Sequence, residues 1–589
     1  MRSLLTRRVR LPRLFSRNGI GNSIANISSI SSRNNDRESP TRSVNIPLNV
    51  SISLTPAEDS LFSFLEYIQK LYTPDTQLRV AGGWVRDKLR GAESEDIDIA
   101  LDNLKGTTFA RYITKFQRDR RLPPSSVGIV KANSDKAKHL EVATVTIEGS
   151  TVDLVHLRAE EYTRDSRVPE VKFATPQEDA SRRDLTINAL FYNLHTRQVE
   201  DFTGYGVEDL NAGIIRTPRE PLQTFLDDPL RVLRAVRFAC DFGFTLDPEL
   251  ERAVLERREI VGTMRKKVSR ERIGIEVRKM LSGKDPTRAF ELLRKFDLLE
   301  LVFNDTAGKL GDGDVDEVDE NGFKYPPREW TEAIQKCAFH YLNYLQRSRL
   351  ALAKCEISNV ESTAAIFTPL FLPHLPVIIP DDCPVHDDFR DVTEQEIVES
   401  SLEFLDHREA VLATFDSAEI VEMLKVHVKW PKPAGKRVAL IIEAIASYPD
   451  AADQASVKHR VQRFLWMTQY HSVIAPALTI LMSARTFSNN ADGVSPEEHE
   501  AVLKAYLDLA NVYAKVDSDA QHNNPSRCRR VDGKTVQTQL GPDASKDIAR
   551  ALRVLHVWEK VHPSGSVEDE LAFLDRIAPQ LSSYLSRGS

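Results

Sequence analysis

The sequence predicts an α+β protein, a mixed N-terminal domain followed by a chain that is helical to its end. Two observations carry this. Between about residues 46 and 200, short β-rich runs such as "HLEVATVTIEG" and "STVDLVHL" alternate with helical pieces. Beyond 200 the runs "DPLRVLRAVRFACDF", "ERIGIEVRKMLSG", "TRAFELLRKFDLLELVF" and "RVALIIEAIASY" place apolar residues three and four apart, the helical period. At 589 residues the chain is too long for one core.

Composition narrows the class further. The chain is 41% hydrophobic and 28% charged with a net charge of −7, so a polyanionic partner must be met by local basic patches. Cysteines 240, 337, 355, 383 and 528 show no short regular spacing, which suits reduced thiols better than a zinc site or a disulfide frame. The most apolar run, "IFTPLFLPHLPVIIP" at 366–380, is broken by four prolines and reads as a connector, not a membrane span. The acidic stretch "GDGDVDEVDENG" at 311–322 lacks the glycine and closing glutamate of a calcium loop and reads as a linker.

The first 35 residues hold many Arg and Ser and no acid before Asp36, the composition of a mitochondrial presequence. A basic tail that touches RNA would look the same. No methionine separates Met1 from Met264, so no second start is expected inside that segment.

The chemistry concentrates in "RVAGGWVRDKLRGAESEDIDIAL" at 79–101. On a strand, Asp96 and Asp98 share one face while Ile97, Ile99 and Leu101 face a core. Two carboxylates so close repel, and a divalent cation relieves them; magnesium suits such a pair, completing its shell with water and phosphate oxygens. Gly82 and Gly83 let backbone approach a ligand ahead of the helix "WVRDKLR", whose free N–H groups attract anions. Arg86 adds a bidentate contact for a triphosphate, with Asp87 beside it. The stretch lacks the GKS or GKT ending of a P-loop. Glu141 and Asp153, both on predicted strands, are the two candidates for a third carboxylate, and the sequence does not choose between them.

Downstream, "DDPLRVLR" at 227–234 places Asp228 and Arg231 three apart on a helix, one acceptor beside one donor. Cytosine and adenine each present an amino donor next to a ring-nitrogen acceptor, whereas uracil and guanine reverse that order. One Asp–Arg couple therefore accepts C and A and rejects U and G. Arg231, Arg234 and Arg237 at every third position also fit a solvated helix face. In "RRDLTINAL" at 182–190, Asp184 and Asn188 are four apart, again one helical face.

The ordered set "GGWVRDKLRG…EDIDIA", "RRDLTINALFYN" and "LDDPLRVLRAVRFACDFGF" resembles the class II tRNA nucleotidyltransferases, the CCA-adding enzymes, in their eukaryotic, fungal-like form. The resemblance runs from about residue 75 to 285. It implies a polymerase β-like nucleotidyltransferase head at 46–200, a helical neck at 201–290, a helical body at 291–430 and a helical tail at 431–589 that binds tRNA, after a presequence at 1–45.

The resemblance also implies roles. Asp96 and Asp98 would hold two Mg²⁺ ions and be catalytic; Gly82, Gly83, Arg86 and Asp87 would meet the triphosphate of CTP or ATP. Arg183, Asp184 and Asn188 would handle the ribose. Asp227, Asp228, Arg231 and Arg234 would read the base, Asp227 standing where relatives often have Glu. Arg272 and Glu276, in "SRERIGIEVRK", would brace the neck. "DFTGYGVEDLNAGIIRTP" at 201–218 matches the family's hinge, and "DRRLPPSSVGIVKANSDKAK" at 119–138 its mobile loop.

The implied activity is template-independent addition and repair of CCA at tRNA 3′ ends, with loss of pyrophosphate. The rivals are a poly(A) or CC-only polymerase and a non-catalytic RNA-binding relative. Expected partners are tRNA and nucleoside triphosphates, with neither membrane nor DNA. The expected compartment is the mitochondrion, with cytoplasm and nucleus besides. Basic residues in "MRKKVSRERIGIEVRKMLSGK" at 264–284 and "PSRCRRVDGK" at 525–534 are candidate RNA contacts. "VHDDFRD" at 385–391 has no second histidine cluster and reads as surface.

Overall fold

A computed structural model describes residues 52–94, 96–130, 142–147, 149–161 and 170–303, and beyond them chiefly 391–412, 429–449, 456–470, 531–541 and 547–584. The segment expected as a presequence, the stretch at 311–322, the proline-broken run at 366–380, Glu141, 131–138 and 525–530 lie outside the described residues. Two compact units divide after Val302.

The first unit opens on helix α1, Pro56–Tyr72. Thr55 and Glu58 form a capping box, Pro56 takes the first turn, and Leu61, Phe62, Leu65 and Ile68 make the buried stripe. Then come β1 (Leu78–Ala81), α2 (Gly83–Leu89), β2 (Ile97–Leu101), α3 (Gly106–Asp119), β3 (Ser126–Val130), β4 (Val142–Ile147) and β5 (Ser150–His156). A small pair, β6 (Arg158–Glu161) and β7 (Glu170–Phe173), precedes α4 (Pro176–Ser181), β8 (Leu190–Asn193) and β9 (Gln198–Asp201).

Seven strands form one mixed sheet in the order β3-β4-β5-β2-β1-β8-β9. All neighbours are antiparallel except β2 and β5, which run parallel with Ile97 opposite Val152 and Asp98 opposite Asp153. Helix α3 lies across β4 and β5 and is flanked by α1. On the other face Ala81, Ala100, Leu157, Ala180, Ala189 and Phe191 pack into a core whose small side chains let the 180–189 segment come close.

After the sheet the first unit is almost wholly helical, the change of period near residue 200. Its elements are α5 (Gly206–Ala212), β10 (Ile214–Ile215), α6 (Pro221–Asp227), α7 (Leu230–Phe242), β11 (Thr245–Leu246), α8 (Pro248–Glu256), α9 (Glu259–Lys267), α10 (Arg270–Ser282), α11 (Pro286–Lys295) and α12 (Leu299–Phe303). Helix α7 packs on α10 and α11, and Leu233, Val236, Val277, Leu281 and Phe290 on these helices are buried.

Two local expectations are corrected. "DDPLR" is not one helical face: Asp227 ends α6, Asp228 is extended at φ −135°, ψ 96°, and α7 starts only after Pro229. A residue before proline is pushed out of the helical region, which breaks the helix there. Likewise 182–190 is not an α-helix but a single 3₁₀ turn, Thr186–Asn188, entered through extended Leu185.

In the second unit α13 (Glu394–Leu412), α14 (Lys432–Ala446), α15 (Val457–Tyr470), α16 (Gly533–Leu540), α17 (Asp547–Val561) and α18 (Val567–Tyr584) pack together. Arg408, Glu443, Tyr470 and Ser447 share a buried polar network among them. Helix α13 packs on α15 and α17. At "VHDDFRD", Phe389 is buried against Phe464 and Asp391 pairs with Arg460.

Gly106 shows how tightly α3 sits on the sheet. A Cβ there would fall 1.9 Å from the Leu154 carbonyl oxygen, a backbone atom of β5. Gly106→Ala should therefore destabilise the head by about 1–3 kcal/mol, read as a lower urea midpoint. An unchanged midpoint would show that α3 can lift from β5.

Candidate active site

Three carboxylates converge at the middle of the sheet. Asp98 stands on β2, Asp96 just before it, and Asp153 directly opposite Asp98 on the parallel strand β5. This register favours Asp153 as the third acid, its side chain fixed by Thr144, whose hydroxyl donates to Oδ1 at 2.6 Å. A cavity of about 930 Å³ opens over them, lined by Asp96, Asp98, Asp153, Thr144, Thr55 and Glu58 among others.

Asp98 opens onto this cleft but is hemmed in by protein atoms. That desolvation, opposed by Arg183 and reinforced by Asp153 and Asp96, raises its carboxyl to about 6. Hard oxygen donors that repel one another fit a divalent cation such as Mg²⁺. No group of three ligands is already gathered on one point among the described residues, so water and phosphate oxygens would complete the shell.

Gly82 and Arg183 stand against each other, and the charge of Arg183 reaches Asp98. Gly82 has φ +78°, a conformation that favours glycine, and a Cβ on it would meet Arg183 Nη1 at 2.8 Å. Arg183 donates to the Asn188 carbonyl at 3.2 Å, is paired with buried Asp179 at 2.9 Å and stacks over Phe191. Gly83 begins α2.

Arg86 and Asp87, expected at the triphosphate, are turned toward the protein. Arg86 Nε and Nη2 donate to the two Asp87 oxygens at 2.9 and 2.7 Å, and Nη1 donates to the Asn188 side-chain oxygen. Arg86 is 8% exposed, and a guanidinium so buried needs such partners.

Asp184 links the 182–190 segment to α7. Its Oδ1 accepts from Asn188 Nδ2 at 3.1 Å and its Oδ2 from Arg234 Nε at 2.7 Å. Burial opposes its ionisation, but Arg234, Asn188 and Arg231 outweigh it and hold the carboxyl at about 2. Arg234 also lies 3.6 Å from Glu276, which accepts from Arg237 Nε at 2.6 Å. The every-third arginines thus do not form a solvated face: Arg231 and Arg237 are buried.

Asp227 accepts from Gln223 at 2.7 Å on the exposed end of α6. Asp228 Oδ2 accepts from Arg272 at 2.8 Å, and Arg231 Nη2 donates to the Arg182 carbonyl at 2.7 Å. In the hinge, Asp209 is buried under Thr186 and Arg216. Sequence reasoning missed three groups: Asp179, which anchors Arg182 and Arg183; Glu58, which holds Lys88 at 3.0 Å and accepts from Trp84; and the rings of Phe238 and Phe242 against Arg86. Only the last had a signal, aromatic residues four apart on a helix rich in arginine.

Residues 78–216 match the poly A polymerase head domain, and residues 243–310 the probable RNA and SrmB-binding site of polymerase A. The chain is similar to the fungal CCA tRNA nucleotidyltransferases, as its motifs imply. It is 44% identical over 263 residues to the mitochondrial CCA tRNA nucleotidyltransferase of Saccharomyces cerevisiae, covering 43% of this chain and 48% of that protein. It is 48% identical over 251 residues to the nucleotidyltransferase lcsQ of Purpureocillium lilacinum, covering 39% and 42%. The chain thus spans about half the length of the curated relatives it matches. In fold it is similar to the Bacillus stearothermophilus CCA-adding enzyme solved with CTP, at a TM-score of 0.54 and 19% identity over 90% of this chain and all of that one. No helix among the described residues is long and apolar enough to cross a membrane.

The ionised Asp184 yields a pH prediction. Its folded pKa lies below the unfolded value, so the stability it contributes is full above about pH 4 and lost as pH falls toward 2. The loss should be about 2 kcal/mol, read by urea unfolding between pH 5 and 2. Asp184→Asn should flatten that acid limb, and an unchanged limb would count against the Arg234 pairing.

Proposed function

We propose that this protein is a template-independent nucleotidyltransferase that adds and repairs CCA at tRNA 3′ ends from CTP and ATP, releasing pyrophosphate. The observation that carries the reading is the in-register pair Asp98 and Asp153, lining one cleft with Asp96, and the charge of Arg183 acting on Asp98. The named activity of the similar fungal enzymes supports the choice of product.

In this reading the triphosphate lies along Gly82, Gly83 and Arg183, and the terminal 3′-hydroxyl of tRNA attacks the α-phosphate. Asp96 and Asp98 would hold the Mg²⁺ ions, which supply charge neutralisation at the triphosphate and acidify the attacking hydroxyl. Asp153 orients the carboxylate site across the strand pair. Asp184 and Asn188, locked together, meet the sugar. Asp228 offers an acceptor and Arg231 a donor to the base edge, each steadied by a contact behind it. Arg272 and Glu276 hold α10 against the reading segment. The tRNA body would meet the helical segment after residue 243, where the RNA-binding model matches, and the C-terminal bundle.

The Arg- and Ser-rich N-terminus and the mitochondrial relatives support a mitochondrial protein. Service to tRNAs of cytoplasm and nucleus belongs to the same proposal.

Transcripts ending at the discriminator base, given Mg²⁺, CTP and ATP, should gain three nucleotides in the order C, C, A at single-nucleotide resolution. Long A tails would instead assign a poly(A) polymerase, arrest after two additions a CC-only enzyme, and no extension an RNA-binding relative. Asp98→Ala and Asp153→Asn should each slow addition by at least about a hundredfold while tRNA still binds in a gel shift. Full activity of Asp98→Ala would sink the carboxylate assignment.

A further inference from the structure

Helix α2, with the residue that follows it, meets α7 through pairs of side chains spaced four apart, Arg86 and Arg90 against Phe238 and Phe242. The Arg86 guanidinium carbon lies 5.0 Å from the Phe238 ring centre and 4.9 Å from that of Phe242. Arg90 lies 3.8 Å over Phe242 and 5.9 Å from Phe244. From α7 itself Arg234 and Arg237 approach Phe238 at 5.5 and 4.0 Å. Asp87 balances the α2 side, bidentate to Arg86 and 3.6 Å from Arg90.

These two helices carry different tasks in the function proposed above. Helix α2 leads out of the Gly82–Gly83 turn at the triphosphate, and α7 carries Arg231 toward the base. A reading couple discriminates only if its position relative to the triphosphate is fixed, because a shift of about an ångström undoes an aligned pair of hydrogen bonds. Arg86 binds Asn188 as well, so ribose segment, phosphate turn and reading helix meet at one stack. A guanidinium suits this place: planar and weakly hydrated, it stacks on a ring where an ammonium would stay solvated.

We propose that Arg90 and Phe242 are positioning residues for base choice, which hold the reading helix to the phosphate turn through a stacked contact that touches no nucleotide. The inference rests on the reading of α7 as the base-selecting element. A direct phosphate contact by Arg90 is the competing role, and it would weaken all four nucleotides alike.

The test uses the full chain with Arg90→Lys, Phe242→Leu and Phe242→Tyr. Single-turnover addition to tRNA lacking CCA gives kcat and KM for CTP and UTP; tRNA ending in CC gives them for ATP and GTP. Arg90→Lys and Phe242→Leu should each lower the CTP-to-UTP and ATP-to-GTP preference by about tenfold, chiefly through kcat of the correct nucleotide. Phe242→Tyr, which keeps the ring, should retain the preference. An unchanged preference in Arg90→Lys, or a KM rise shared equally by all four nucleotides, overturns the proposal. Thermal melting checks folding, and if Phe242→Leu is unfolded at the assay temperature, Arg90→Lys decides alone. A wild-type chain that adds no CCA refutes the proposed function; one that adds it with an unaltered Arg90→Lys preference refutes only the coupling.

Discussion

The parallel pairing of β2 with β5 is the constraint on which the head depends. It places Asp98 level with Asp153 on one face of the sheet, where the two carboxylates and Asp96 repel one another. A fold under no functional demand would not hold like charges in register, since opposed like charges destabilise a strand pair. The rest of the head resists the strain. Helix α3 is pressed onto β5 at Gly106, and small alanines on the opposite face admit the 180–189 segment with its arginines. Arg183, brought in by that segment, is the cation that most offsets the charge on Asp98.

Two aspartates in one unit show how environment divides roles. Asp98 faces the open cleft and the Asp184 side chain is nearly covered, yet the first is raised to about 6 and the second held at about 2. Dehydration acts on each in the same direction. The difference lies in the neighbours: two further carboxylates at Asp98, and Arg234, Asn188 and Arg231 at Asp184. Asp184 is thus a fixed anion that ties two segments together, whereas Asp98 is a group whose charge a bound cation or substrate can change. Perturbed carboxylates in a cleft mark functional sites in general, and here the two directions distinguish support from chemistry.

Much of this was legible in sequence, for reasons specific to each segment. The change of apolar period near residue 200 marks the end of the sheet at Asp201, since alternation and helical spacing cannot serve the same core. Asp96 and Asp98 announce themselves by spacing, and Gly82 by its neighbour. The choice between Asp153 and Glu141 was not legible, because inter-strand register depends on how β4 and β5 turn and pair. The breaks at Pro229 and Leu185 were legible in principle: the proline rule applies directly to Asp228, although helical spacing on either side obscured it. The inward turn of Arg86 was hidden, since its partners Asn188, Phe238 and Phe242 lie far along the chain.

The break before Pro229 also bears on how two side chains can tell bases apart. On one helical face, Asp228 and Arg231 would owe their order to the helix alone and would share its fraying at the first turn. As the chain folds, each is fixed separately, Asp228 by Arg272 from α10 and Arg231 by the Arg182 carbonyl from the ribose segment. C and A differ from U and G only in the order of donor and acceptor along the edge. In the proposed reading the selecting feature is the order of carboxylate and guanidinium, and two independent anchors hold that order better than one helix turn does. Arg182 in turn is gripped by Asp179, next to Arg183 beside Gly82. The proposed reading of the base thus hangs from the same buried aspartate that aims Arg183 at the carboxylates.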